Sequence, residues 1–208
     1  LLVHGHANQA RGMLVQAQRL STLGFSVMLV SQPGYGQSTG PADFMGPATV
    51  KALEAALDRL EQMARVDRSR IAVWGISRGA TAAALLAERR PEVRALVVQS
   101  GIYDLWAAYR GTRLPGFRET IVQEAGTDSA GWRARSPVLE SGALKAAVLV
   151  MHGEADDRAP VDQAKGFVQA LQSHGLEAES KFLPAVGHVL PPVAQQTAEA
   201  FLGRTLRR

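Results

Sequence analysis

The sequence predicts an α/β chain, a doubly wound and mostly parallel sheet with helices on both faces, and three observations carry that prediction. Short apolar runs alternate with stretches of helical spacing along most of the 208 residues, which is the pattern of strands joined by crossover helices. One such run, Ile71-Ala72-Val73-Trp74, passes through Gly75-Ile76-Ser77-Arg78-Gly79 straight into an alanine-rich run, so a strand turns sharply into a helix around a serine. Hydrophobic residues make up 46% of the chain and charged residues 20%, an ordinary globular balance that argues against disorder.

The length suits one domain with a substantial core and is too short for two of full size, so a single domain over residues 1–208 is expected. Leu1-Leu2-Val3 reads as the first strand, followed by the loop His4-Gly5-His6-Ala7-Asn8 and a helix from about Gln9 to Leu23. A core strand rarely opens a polypeptide with nothing to pair or cover it; strands upstream of Leu1 are therefore expected to be missing. Phe25 to Val30 is the second strand. The segment Gln32 to Pro41 is too rich in glycine and proline to be regular. A helix from about Gly46 to Arg65 carries Val50, Leu53, Leu57 and Leu60 at spacings of three and four.

Ile71 to Trp74 is the third strand, and the helix after the serine runs from Ala80 to Glu88 before Pro91 stops it. Ala95 to Val98 and Ala147 to Met151 are the fourth and fifth strands. Between them, about 102–145, no strand is legible, while Trp106, Tyr109, Phe117 and Trp132 stand among arginines and glycines; a small helical cap insertion is expected there. A helix from Asp162 to His174, a strand from Glu179 to Leu183 and a closing helix from Pro192 to Leu206 complete the chain. Arg204, Arg207 and Arg208 place cations at the end of that last helix.

Composition narrows the chemistry. The absence of cysteine removes disulfides, thiolate nucleophiles and cysteine-ligated metals, and it suits a reducing cytoplasm or an exported protein that needs no staple. The formal charge of +4 is scattered, without the Lys/Arg stripe and interleaved aromatics of a nucleic-acid partner. No apolar run approaches the ~18 residues of a bilayer span, and any targeting signal would lie upstream of Leu1.

The serine is the candidate nucleophile. A strand-to-helix turn at Ser77 presents its Oγ above the sheet, with Gly75 and Gly79 omitting side chains that would collide. The positive end of the helix faces the place where an oxyanion would form. A serine hydroxyl needs a base within hydrogen-bond reach, and the base needs an orienting carboxylate. Such groups gather at the C-terminal ends of the strands. His188 follows the last strand in Pro184-Ala185-Val186-Gly187-His188 and is the base. The acid comes from the loop holding Glu154, Asp156 and Asp157; Asp156 is chosen, Asp157 being expected to cap the next helix or pair with Arg158. His4 and His152 each precede a glycine at a strand end, where bonds to the backbone are expected, and His174 reads as a solvated helix-end cation. The oxyanion is assigned to the backbone N–H groups of Arg78 and His6. No metal and no cofactor is required.

These residues resemble the prolyl oligopeptidase-like branch of the α/β-hydrolases, the S9 serine peptidase catalytic domain, over nearly the whole chain. His152-Gly153-Glu154-Ala155-Asp156-Asp157-Arg158-Ala159-Pro160 is similar to that family's H-G-x-x-D-x-x-V-P acid loop, and the match implies Asp156 as the acid. Gly187-His188 resembles the histidine loop, and Pro33-Gly34-Tyr35-Gly36-Gln37-Ser38 a glycine-rich segment common in α/β-hydrolases. The order Ser77, Asp156, His188 is theirs as well. Ile76 and Arg78-Gly79-Ala80 depart from the aromatic residue and Tyr-Gly-Gly that often flank the family's serine, and no β-propeller fits in this length. The resemblance implies a serine hydrolase cleaving an ester or a peptide bond through an acyl-enzyme, with small esters or short peptides as substrates. A peptidase is favoured over a carboxylesterase, and over a non-catalytic binding protein of the same fold.

Overall fold

The computed structural model describes residues 1–206; Arg207 and Arg208, expected at the end of the closing helix, lie outside the described residues. The strands are β1 (Leu2–Val3), β2 (Leu29–Val30), β3 (Ile71–Ile76), β4 (Val93–Gln99), β5 (Ala147–Gly153) and β6 (Ala178–Leu183). They form one sheet in the order β2-β1-β3-β4-β5-β6, with every neighbouring pair parallel. This is the α/β-hydrolase arrangement. The chain moves outward from β1 to β2 and then back across β1 to β3, so the strand order reverses between β1 and β3, where open α/β sheets form their binding crevice.

The period-two alternation of the strands divides the core into two layers. Val73, Leu96, Val98, Val148 and Val150 point into one layer. It is covered by α2 (Pro47–Glu61), α3 (Arg78–Arg89) and α7 (Asp162–Ser173) through Leu53, Leu57, Phe167 and Leu171. Trp74, Ala95, Val97, Leu149 and Met151 point the other way. There they meet Leu20 of α1 (Leu14–Thr22) and Phe201 and Leu202 of α8 (Pro192–Leu206). Along α3, Ala80, Ala82, Ala83, Ala84 and Ala87 are all buried; with so little side chain the helix can lie close to the sheet and beneath its neighbours at once.

Two boundaries differ from the sequence expectation for local reasons. The second strand is confined to Leu29–Val30, because the turn closing α1 extends to Phe25, whose N–H donates to Leu20 O at 3.2 Å. The helix expected to reach Arg65 ends at Glu61, where the N–H groups of Met63 and Val66 close tight turns on Leu60 O and Met63 O instead. Between β4 and β5 lie α4 (Leu105–Gly111), α5 (Phe117–Ala125) and α6 (Ser129–Arg133), followed by two 3₁₀ turns. Asp104 and Asp128 cap α4 and α6 by accepting Ala107 N–H and Gly131 N–H. Trp132 holds the group together: it packs against Trp106 and Tyr109 at ring-centre distances of 5.9 and 4.8 Å and donates its indole N–H to Gly126 O. At the far end Arg204 pairs with Glu179. No helix among the described residues is long and apolar enough to cross a membrane.

The start of α3 lies against the end of β1 with no room for a side chain: a Cβ on Gly79 would lie 2.3 Å from Val3 O and 2.5 Å from His4 O. Gly79→Ala is therefore expected to lower unfolding free energy by about 3 kcal/mol, the upper part of the usual overpacking cost. Gly203→Ala, with nothing within 4 Å of the new methyl group inside α8, should raise it by about 0.5–1 kcal/mol. Urea unfolding of both variants reads the contrast; equal effects would mean that the approach of β1 to α3 is not under the constraint described.

Candidate active site

β3 ends in a turn whose backbone is strained at one residue: Ser77 has φ 56° and ψ −123°, a conformation that non-glycine residues adopt only when their surroundings enforce it. Three contacts do so. Ser77 N–H donates to Gln99 O at 2.8 Å, Ser77 O accepts from Ala80 N–H at 2.9 Å, and a Cβ on Gly75 would meet Gly79 O at 2.1 Å, so strand and helix touch through two glycines. The turn lifts Oγ above the C-terminal edge of the sheet.

There Ser77 Oγ lies 2.9 Å from His188 Nε2, and His188 Nδ1 lies 2.8 Å from Asp156 Oδ2. His188 belongs to the loop between β6 and α8. That loop is tied to the Asp156 loop by Ala155 N–H donating to Val186 O at 2.9 Å, while Ser100 Oγ donates to His188 O at 2.9 Å. The two loops touch because Gly153 has no side chain: a Cβ there would lie 2.2 Å from Val186 O.

Asp156 is buried and every side of its carboxylate is occupied. Oδ1 accepts the N–H groups of Arg158 and Ala159, each at 2.9 Å. Oδ2 accepts from His188 and also lies 3.2 Å from His152 Nε2. Burial pushes the carboxyl up, but hydrogen bonds from His152, His188 and Ala159 N–H outweigh it and hold the group well below the usual carboxylate range. An ionised carboxylate only accepts, so His188 Nδ1 carries the proton and Nε2 offers its lone pair to the serine hydroxyl.

The other sequence candidates are elsewhere. Asp157 is exposed and has no hydrogen bond or ion pair among the described residues, and α7 has no side-chain cap; the expected cap is not formed because α7 begins only at Asp162, and the expected pair is not formed because the side chains of Asp157 and Arg158 both extend into solvent. Glu154 is exposed and lies 4.0 Å from Lys165. His4 is buried, with Nδ1 against Gly5 O at 2.7 Å and Nε2 accepting Gln32 N–H at 3.0 Å. His174 is exposed beyond the end of α7. His152 bonds Ala159 O at 2.7 Å as well as approaching Asp156; the four-residue spacing from the acid was its only sequence signal.

The backbone N–H groups of His6 and Arg78 donate to no protein group among the described residues, and both residues line the cleft above Ser77. This cleft, about 800 Å³ in volume, is also bordered by Ile102, Phe117, Thr120, Arg158 and Leu190.

A sequence model of the prolyl oligopeptidase family matches residues 32–204. The chain belongs to that family. The family's S9 domain is that of a serine hydrolase, and the relatives agree. An uncharacterized peptidase of Bacillus subtilis, YuxL, is 25% identical over 91% of this chain and 30% of its own length. The human acylamino-acid-releasing enzyme is 24% identical over 99% of this chain and 30% of its own. The chain thus spans about a third of these curated relatives. Two solved structures share the fold at lower identity. The Pyrococcus horikoshii acylaminoacyl peptidase has a TM-score of 0.82 at 20% identity, covering 100% of this chain and 37% of that one. The Pyrococcus furiosus esterase PF2001 has a TM-score of 0.74 at 18% identity, covering 99% of this chain and 80% of that one.

Two tests follow from the family member's acid loop. Asp156→Asn is expected to reduce kcat far more than Asp157→Asn, toward the ~10⁴-fold loss known for a triad carboxylate; similar small losses in both would place the acid elsewhere. The second test is of stability. A carboxyl held below its unfolded value of about 3.9 contributes stability that is complete above about pH 4 and fades as pH falls toward the folded value. The difference in unfolding free energy between wild type and Asp156→Asn should therefore narrow from about pH 4 to about pH 2, and a constant difference would contradict the assigned bonds.

Proposed function

We propose that this chain is an acyl hydrolase of peptidase type, with Ser77 as nucleophile, His188 as base and Asp156 as orienting acid. The observation that carries the reading is the unbroken line from Ser77 Oγ through both nitrogens of His188 to Asp156 Oδ2, at 2.9 and 2.8 Å. His188 takes the hydroxyl proton as Oγ attacks the carbonyl carbon, and the new oxyanion is held by the N–H groups of Arg78 and His6. Collapse of the tetrahedral species expels the amine or alcohol, protonated by His188 Nε2. Water then attacks the acyl-Ser77 ester with His188 again as base, and the acid product leaves.

Family membership favours a peptide over a simple ester, and acylamino-acid-releasing enzymes among the relatives favour a blocked amino terminus. The cleft supports that choice. Its lining holds Arg78, Arg158, His6 and His188 but no carboxylate among the described residues, so a free α-ammonium finds no counterion there, whereas an N-acyl group needs none. A short N-acylated peptide is the substrate class proposed.

Labelling with a fluorophosphonate, followed by rates on N-acetyl-aminoacyl anilides, free aminoacyl anilides and p-nitrophenyl esters, tests the reading in the full chain. Ser77→Ala should lose labelling and about 10⁶ in kcat while keeping the fold. Retention of more than a few per cent activity would exclude Ser77 as nucleophile. Faster turnover of free than of acetylated anilides would overturn the substrate class, and turnover of esters alone would point to a carboxylesterase.

A further inference from the structure

The residue after the nucleophile carries a charge that is turned inward. Arg78 is 7% exposed, and its Nη1 donates both to Glu124 Oε2 on α5, at 2.8 Å, and to the Tyr35 hydroxyl, at 3.1 Å, in the loop that follows β2. Its guanidinium lies 4.1 Å from the centre of the Phe44 ring, and Phe44 N–H donates to the same Glu124 oxygen at 3.1 Å. A buried ion pair adds little stability over an apolar pair of the same volume. Its effect is geometric, because removing either partner strands the other.

The polar contacts of this cluster form one chain. A guanidinium has donors only, so the Tyr35 oxygen accepts from Arg78 and retains its own proton to give. His6 Nδ1 lies 2.9 Å from that oxygen. With the His6 proton on Nε2, Tyr35 donates to Nδ1; with it on Nδ1, His6 donates to the phenol oxygen, and either way the bond joins the two loops. Partial desolvation and, next, the charge of Arg78 hold the His6 imidazole below its ordinary value, with Glu124 acting the other way. The rings of both His4 and His6 pack edge-on against Tyr35, at 5.3 and 6.0 Å between centres.

We propose that Tyr35 and Arg78 are positioning residues for the oxyanion side of the cleft: the line Glu124, Arg78, Tyr35, His6 holds the loop after β1 at a set distance from the Ser77 turn. The N–H groups of His6 and Arg78 then converge on one point. This rests on the reading of Ser77 as nucleophile. Glu124 also draws α5 into the same cluster, and Thr120 and Phe117, four and seven residues before it on the same helical face, border the cleft.

Tyr35→Phe keeps the ring and removes only the oxygen. Loss of an oxyanion donor costs about 10²–10³ in kcat, so a displaced donor should cost somewhat less, about 10–100-fold, with KM within about twofold. Affinity for phenylboronic acid, which forms a tetrahedral adduct, should fall by a similar factor. Glu124→Gln, still able to accept from Arg78 but uncharged, should shift both quantities the same way by less. Rates are expressed per fluorophosphonate-labelled site in the full chain, so a merely structural role lowers the labelled fraction and leaves kcat per site unchanged. Unchanged kcat and boronate affinity per labelled site in both variants, or a rise in KM alone, overturns the proposal and leaves the reading of Ser77 standing. An unlabelled wild-type protein overturns both.

Discussion

The chemistry of this chain depends on how closely the first turn of α3 comes to the carbonyl end of β1. The gap is set by the missing side chain of Gly79, which would otherwise overlap Val3 O and His4 O. Because β1 and β3 are hydrogen-bonded neighbours, with Val3 opposite Gly75, the loop after β1 and the turn after β3 leave the sheet side by side. Ser77 is held at φ 56° between them, a strain of order 1–3 kcal/mol that the surrounding hydrogen bonds must sustain. Relaxing the turn would move Oγ and the Arg78 N–H together, so the position of the proposed nucleophile and that of its proposed oxyanion donor are one constraint.

A second constraint follows from strand order. β3 and β6 are three strands apart, roughly 14 Å at ~4.8 Å per strand, so a histidine delivered from β6 must cross the ends of β5 and β4 to reach a serine after β3. The loop does this by resting on both. Over β5 it packs on Gly153, and Glu154 N–H donates to Leu183 O at 2.9 Å. Over β4 it is fixed by the Ser100 hydroxyl bonding His188 O. Ser100 has φ 51° and Ala185 has φ 56°, so the path is maintained by local strain at each end. Four strand ends thus contribute to the placement of three side chains.

What was legible in the sequence was what neighbours in the chain decide. The apolar runs that hold Val97, Val98, Leu149 and Val150, the glycines around Ser77 and the glycine before His188 are local patterns; the structure builds strands from the runs, divides their residues between two layers and closes the Ser77 turn on its glycines. The short β2 was not legible, since its length depends on how far the end of α1 unwinds before an edge strand with a single neighbour can pair. Nor was the ion pair of Arg78 with Glu124, 46 residues apart in sequence: Phe117, Ile121 and Ala125 give α5 an apolar face, but which distant loop that face meets is decided in space, where Phe117 packs on Phe44 at 5.7 Å between ring centres. His152 was read as a backbone-bonded loop histidine, which describes its bond to Ala159 O but omits the second contact with Asp156. Spacing of four suggests a shared helical face, and here it spans a strand end and a loop, where no periodic rule applies.

That second contact completes the proton arrangement around Asp156. Ala159 O can only accept, so the 2.7 Å bond requires a proton on His152 Nε2. The same proton faces Asp156 Oδ2 at 3.2 Å, while His152 Nδ1 is buried without a partner among the described residues. With the Arg158 and Ala159 N–H groups on Oδ1, the carboxylate meets four donors and no acceptor, which favours the charged form throughout. In the reaction we propose, the imidazolium formed on His188 therefore lies beside a carboxylate whose negative charge every neighbouring bond favours.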